Sequence, residues 1–99
     1  MNPQYFECHI TIEPVEGDRL IKFNELCEKW DFKVATLLMQ KTLEPSKLDS
    51  FCTCKRKNYV EVHNRMRWLL ADLEAHIFNV RRYKIEAIIL DQRVKHGNV

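Results

Sequence analysis

Twice within 99 residues the chain passes from one apolar rhythm to another and back, strand to helix to strand. That repeated order limits the available folds more than any other feature. In YFECHITIE, Phe6, Cys8, Ile10 and Ile12 alternate with Glu7, His9, Thr11 and Glu13, the period of a half-buried strand that Pro14 ends. Leu20, Phe23, Leu26, Cys27 and Trp30 then recur at spacings of three and four, so a helix running to about Trp30 is expected, with Asp18 as its cap. FKVATLLM reads as the second strand, rich in apolar and branched residues.

The second round begins after a polar linker, TLEPSKLDS, with SFCTCK as a short third strand. Asn58 followed by Glu61 has the spacing of a capping box. The helix after it carries Tyr59, Val62, Met66, Leu69, Leu70, Leu73 and Ile77 on its buried stripe. VRRYKIEAIIL is the fourth strand, with Tyr83, Ile85, Ala87 and Ile89 toward the core, and residues 91–99 read as a frayed tail. The two rounds echo one another, since Phe32-Lys33-Val34 closes the first helix unit and Phe78-Asn79-Val80 the second.

Two such halves in one domain predict an α+β, ferredoxin-like βαββαβ fold: a four-stranded antiparallel sheet with two helices on one face. A rearranged α+β sheet is the alternative. Strands one and three are expected to be central, adjacent and parallel to each other. The loop PVEGD should then share an end of the sheet with Lys55-Arg56-Lys57. The face away from the helices is left open.

Composition narrows the function classes. With 45% apolar and 30% charged residues, and only two Gly and three Pro, the chain is a globular domain rich in regular elements. A net charge of +2 does not make nucleic acid the default partner. No apolar run approaches the roughly 20 residues of a membrane span, and the N-terminus lacks the pattern of a signal peptide. Cys8, Cys27, Cys52 and Cys54 contain no C-x-x-C, so they read as reduced thiols of a cytoplasmic protein, and no cofactor is implied.

His9 and Thr11 are the leading candidates for chemistry. Two residues apart on a strand, they share the open face, one as acid or base and one as a hydroxyl for a phosphate oxygen. His9-x-Thr11 on a first strand, in a chain with a βαβ duplication, resembles one half of the 2H phosphoesterases. Members of that family pair two H-x-T/S motifs, one from each lobe, and use the two histidines as complementary acid and base on phosphodiester or cyclic phosphate bonds. The second motif is absent. At SFCTC, either Cys52 and Cys54 replace His and Thr, or Thr53 keeps its place and Phe51 replaces the histidine. The remaining histidines stand in HNR, HIF and HGN, none with Thr or Ser two residues on.

Three further groups compete for a role. Cys52 and Cys54 could join His9 as zinc ligands, but cysteine is among the most buried residue types, and packing beneath the helices is the favoured reading. No metal set is therefore expected. Lys55, Arg56 and Lys57 precede the helix cap Asn58 and make an anion site conceivable. Arg82, Lys84 and Glu86 should share the open face with His9; Glu86 could orient the imidazole and Lys84 receive a phosphate. The competing reading is a ladder of Glu7 and Glu13 against Arg82 and Lys84. Ile88 and Leu90 would also face outward, an apolar end suited to a second copy or a protein partner. An RNA platform ranks third, since Tyr5 and Tyr83 do not form adjacent stacking rings on central strands. The expectation is a binding or accessory domain whose open face takes a partner, a second copy or a phosphate-containing ligand, with 2H-like phosphoester cleavage as the alternative.

Overall fold

In the computed structural model, residues 2–35 and 49–89 are described. They form β1 (Tyr5–Ile12), α1 (Asp18–Lys29), β2 (Lys33–Val34), β3 (Ser50–Arg56), α2 (Tyr59–Ala75) and β4 (Val80–Ile88). The remainder of the expected second strand, most of the TLEPSKLDS linker, Leu90, His96 and the 91–99 tail lie outside the described residues. No helix among the described residues is long and apolar enough to cross a membrane.

The strands form one sheet in the order β2-β3-β1-β4, the α+β arrangement of a ferredoxin-like fold. Every neighbouring pair is antiparallel, including β1 and β3. The expected parallel pairing is thus overturned. β1 and β2 both run opposite to β3 and so lie parallel to each other with β3 between them. This direction also separates the two loops expected together. Ile12 faces Ser50 while Phe6 faces Arg56, so PVEGD and the basic run sit at opposite ends of the sheet.

Alternation along β1 and β3 puts Cys8, Ile10, Ile12, Cys52 and Cys54 under the helices, where they meet Phe23, Leu26, Cys27, Val62, Leu69 and Leu73. Full burial of each large aliphatic or aromatic side chain stabilises by about 1.5–3 kcal/mol relative to exposure. Ser50 is the one buried polar side chain among the described residues, and its Oγ accepts a hydrogen bond from the Val15 amide at 3.3 Å. β4 is an edge strand, and of its expected inward set only Ile85 packs on the core. Tyr83 and Ala87 are exposed at the rim, and Ile89 lies past the strand's end.

The helix boundaries follow from local chemistry. α2 starts as the sequence indicates, with Asn58 Oδ1 accepting from the Glu61 amide at 3.1 Å. α1 does not start at a side-chain cap. Gly17, at φ 58°, occupies the cap position and Asp18 lies in the first turn, where its charge suits the helix dipole. Both helices end alike. Asp31 and Ile77 adopt φ 62° and 60°, after which the amides of Phe32 and Phe78 bond back to the carbonyls of Cys27 and Leu73. The echoed phenylalanines are thus the buried residues that follow each left-handed exit. Ile77, expected on the buried stripe, is instead 82% exposed because the helix has already ended; Tyr59 lies at the margin, edge-on to Phe6.

Side chains tie the helices together. Arg19 donates to the carbonyls of His76 and Ile77, both at 2.9 Å, while its guanidinium covers Phe78. Trp30 Nε1 and Lys29 Nζ both donate to Asp72 Oδ2, at 2.8 and 3.1 Å, and hold its carboxyl below the usual carboxylate range.

Candidate functional site

The open face is built in rows across the strands. Lys33, Thr53, His9 and Lys84 are successive register partners and form one row over all four strands. Lys55, Glu7 and Glu86 form the next row, and Phe51, Thr11 and Arg82 the one on the other side. Antiparallel register partners share a face, so all these side chains point away from the helices.

His9 sits at the centre and is 29% exposed. Its Nε2 lies 2.8 Å from Glu7 Oε1 and 3.1 Å from Glu86 Oε1, and its Nδ1 lies 3.2 Å from Thr53 Oγ1. Ionised carboxylates only accept, so this network is satisfied when Nε2–H donates to Glu7 and the Thr53 hydroxyl donates to Nδ1. Lys55 Nζ lies 3.4 Å from Glu7 Oε2 and near the Tyr5 ring. Lys84 Nζ lies 3.4 Å from Glu86 Oε1. The expected ladder of Glu7 and Glu13 against Arg82 and Lys84 is not what forms. Glu7 faces Glu86, Arg82 faces Thr11, and the lysine pairs are Lys55 with Glu7 and Lys84 with Glu86.

Thr11 shares the face with His9 two residues away, and its register neighbours are Phe51 and Arg82. At SFCTC the structure adopts the register in which Phe51 and Thr53 face outward, while Cys52 and Cys54 are buried beneath the helices. A zinc set of His9 with those cysteines is excluded by the pleat, which places them on opposite faces. Burial, and then Cys54 nearby, push the Cys8 thiol up to about 12. A hydrogen bond with Cys27, then burial, hold Cys52 well above the ordinary thiol value. Burial also raises Cys54, with Arg56 and Arg65 opposing it. Protonated, buried thiols are poor nucleophiles and poor ligands.

The basic run does not converge on one point. Lys55 projects over the open face toward Glu7, and Arg56 turns to Asp31 at 2.9 Å and to the Lys55 carbonyl. Lys57 is exposed in the turn before Asn58. Beside them a shallow cavity of about 440 Å³ is lined by Asp31, Lys33, Thr53, Cys54, Lys55 and Arg56, which adjoins the central row. From the sequence, Thr53 stands out only as the hydroxyl of an incomplete second motif, and Lys33 not at all. The expected burial of Cys52 and Cys54 is what turns Thr53 outward; no local pattern marks Lys33. Ile88 lies on the open face beside Tyr5, half-buried, and its expected companion Leu90 lies outside the described residues.

Comparison of the chain with protein-family models, with curated proteins and with solved structures yields no match.

Proposed function

We propose that this protein is a binding domain whose open sheet face takes a phosphate-containing ligand. The observation that carries this reading is the row Lys33-Thr53-His9-Lys84, with the cavity at its β2 end. Ammonium groups at both ends of the row, with a hydroxyl and an imidazole between, supply donors of the kind that bind phosphate oxygens. Lys33 and Arg82 have no ion-pair partner among the described residues, so two cations of this face are available to an anion. Phe51, 43% exposed beside Thr11, adds a ring against which a nucleobase can stack.

Titration of isotope-labelled protein with inorganic phosphate and with adenosine monophosphate tests this. Amide shifts should concentrate on residues 33, 51–55, 9–11 and 82–86, and Lys33→Ala or Thr53→Val should weaken binding about tenfold, 1.4 kcal/mol. Shifts confined to other surfaces, or none at millimolar ligand, would sink the reading. A second reading, phosphoester cleavage with His9 as acid or base, follows from the resemblance to the 2H phosphoesterases. Its support is the carboxylate 2.8 Å from Nε2, which orients the ring as general acid-base chemistry requires. Turnover of 2′,3′-cyclic nucleotides that disappears in His9→Ala would favour it over binding alone.

A further inference from the structure

We infer that Glu7, His9 and Glu86 form a site for a divalent transition-metal ion of the zinc class. The inference does not depend on the phosphate reading. It starts from three side chains on two adjacent strands, each offering one ligand atom, a ring nitrogen of His9 and a carboxylate oxygen of each glutamate, all within 4.8 Å of one another. Two of the separations are 2.8 and 3.1 Å, both from Nε2. Ligands about 2.0–2.1 Å from a tetrahedral zinc lie about 3.3 Å apart, so a small outward adjustment of the side chains accommodates the ion. One imidazole and two carboxylates are a donor set suited to this metal class, and unlike the buried thiols they face solvent.

The outward atoms of the same side chains are already occupied. The second ring nitrogen of His9 meets Thr53 Oγ1 at 3.2 Å, and Glu7 Oε2 meets Lys55 Nζ at 3.4 Å. Such outer contacts fix the ring and the carboxylate while leaving Nε2 and Oε1 aimed at a common point. The register adds a separate reason. Glu7 and Glu86 are direct cross-strand partners, and like charges placed opposite one another destabilise a sheet. A dication between them turns that repulsion into attraction. On coordination the ring changes tautomer: the Nε2 hydrogen leaves to water, Nδ1 takes one from water and donates it to Thr53 Oγ1, and the freed Nε2 lone pair of the still neutral imidazole binds the ion. Lys84, 3.4 Å from Glu86 Oε1, has to swing aside, which keeps the affinity moderate and frees its ammonium toward the centre of the face. Exposures of 17% for Glu7 and 44% for Glu86 leave a coordination position open on the solvent side.

Calorimetric titration of the tag-free full chain with Zn²⁺ alone, in phosphate-free buffer, tests the site. One ion per chain is expected. His9→Gln and Glu86→Gln should each weaken binding at least tenfold, and Thr53→Val, which touches only the outer contact, by a smaller factor. Cobalt(II) in place of zinc reports the donor atoms. Bands of a nitrogen- and oxygen-bound ion are expected, without thiolate-to-metal charge transfer. Glu86 lies on an exposed edge strand, so Glu86→Gln serves should His9→Gln fail to fold, which circular dichroism shows. Absence of stoichiometric binding to the folded wild type overturns the inference. Unchanged affinity in folded Glu86→Gln, or a thiolate band, does so equally. Failure to bind phosphate or adenosine monophosphate leaves it untouched, because the metal titration contains neither.

Discussion

The two faces of the sheet are made from alternate residues of the same strands, yet they follow different rules. On the helix side, Cys8, Ile10, Ile12 and Cys52 are fully buried, and even the polar side chain there, Ser50, is hydrogen-bonded. On the open side, Glu7, His9, Thr53, Lys55, Lys84 and Glu86 form a connected polar network in partial contact with water. Partly exposed ion pairs contribute about 0–1 kcal/mol each, whereas one buried aliphatic side chain contributes more than that. The fold therefore rests on one face, and the other is left to hold what it can bind.

The largest expected effect comes from breaking the helix face. Ile10→Ala should cost about 3–4 kcal/mol in urea unfolding, from lost transfer energy plus the cavity left beneath the helices. A loss below about 1 kcal/mol would mean that the core does not depend on β1 as described. Alkaline pH acts on the same face. The folded Cys8 pKa is raised, so this thiol's contribution is complete below the ordinary value of 9.0 and is lost as pH rises toward about 12. Over that interval stability should fall by about 1.4 kcal/mol per pH unit for each such thiol, and Cys8→Ala should make the decline shallower. A decline of equal slope in Cys8→Ala would show that other groups govern it.

Smaller effects sharpen the contrast. Ile77 belongs to neither face, and its branched side chain sits at φ 60°, where L-residues pay about 1–2 kcal/mol. Ile77→Gly should raise stability by about 0.5–1 kcal/mol after the extra unfolded-state entropy of glycine is offset. The smallest change is expected at the centre of the open face. His9→Gln should alter unfolding free energy by less than about 1 kcal/mol while weakening ligand binding. A loss of several kcal/mol would make His9 structural and erase the division between the faces.

Much of the architecture is legible in the chain because the relevant signals are local. Alternation in YFECHITIE, the Asn58–Glu61 cap and the paired Phe32 and Phe78 each act over a few residues, and each corresponds to a feature of the structure. The direction of β3 relative to β1 depends on how distant segments return, and reading it as parallel misplaced PVEGD and the basic run together. The candidate site is legible only in part. His9 and Thr11 are readable from β1, and alternation in β4 sets Glu86 on the same face, where it lies 3.1 Å from His9. Thr53, however, lies 44 residues from His9, and the direct facing of Glu7 and Glu86 depends on a register that no local pattern carries. The end of α2 also escaped, although that of α1 near Trp30 did not, since nothing in the apolar period of α2 tells Ile77 that the helix has closed before it.

The pairing of β1 with β4 slips by one residue between Thr11 and Ile12, so that Thr11 faces Arg82 while Ile12 faces Val80. Arg81 is the residue skipped, and its guanidinium reaches Asp49 instead. Without the slip, Ile12 would face Arg81, and a guanidinium would be turned toward the core. Position 81 is therefore the place in β4 where the strand can lose a residue while Val80 stays inward and Lys84 and Glu86 stay beside His9. Elsewhere along this strand, a change of one residue in length would exchange the charged face for the apolar one.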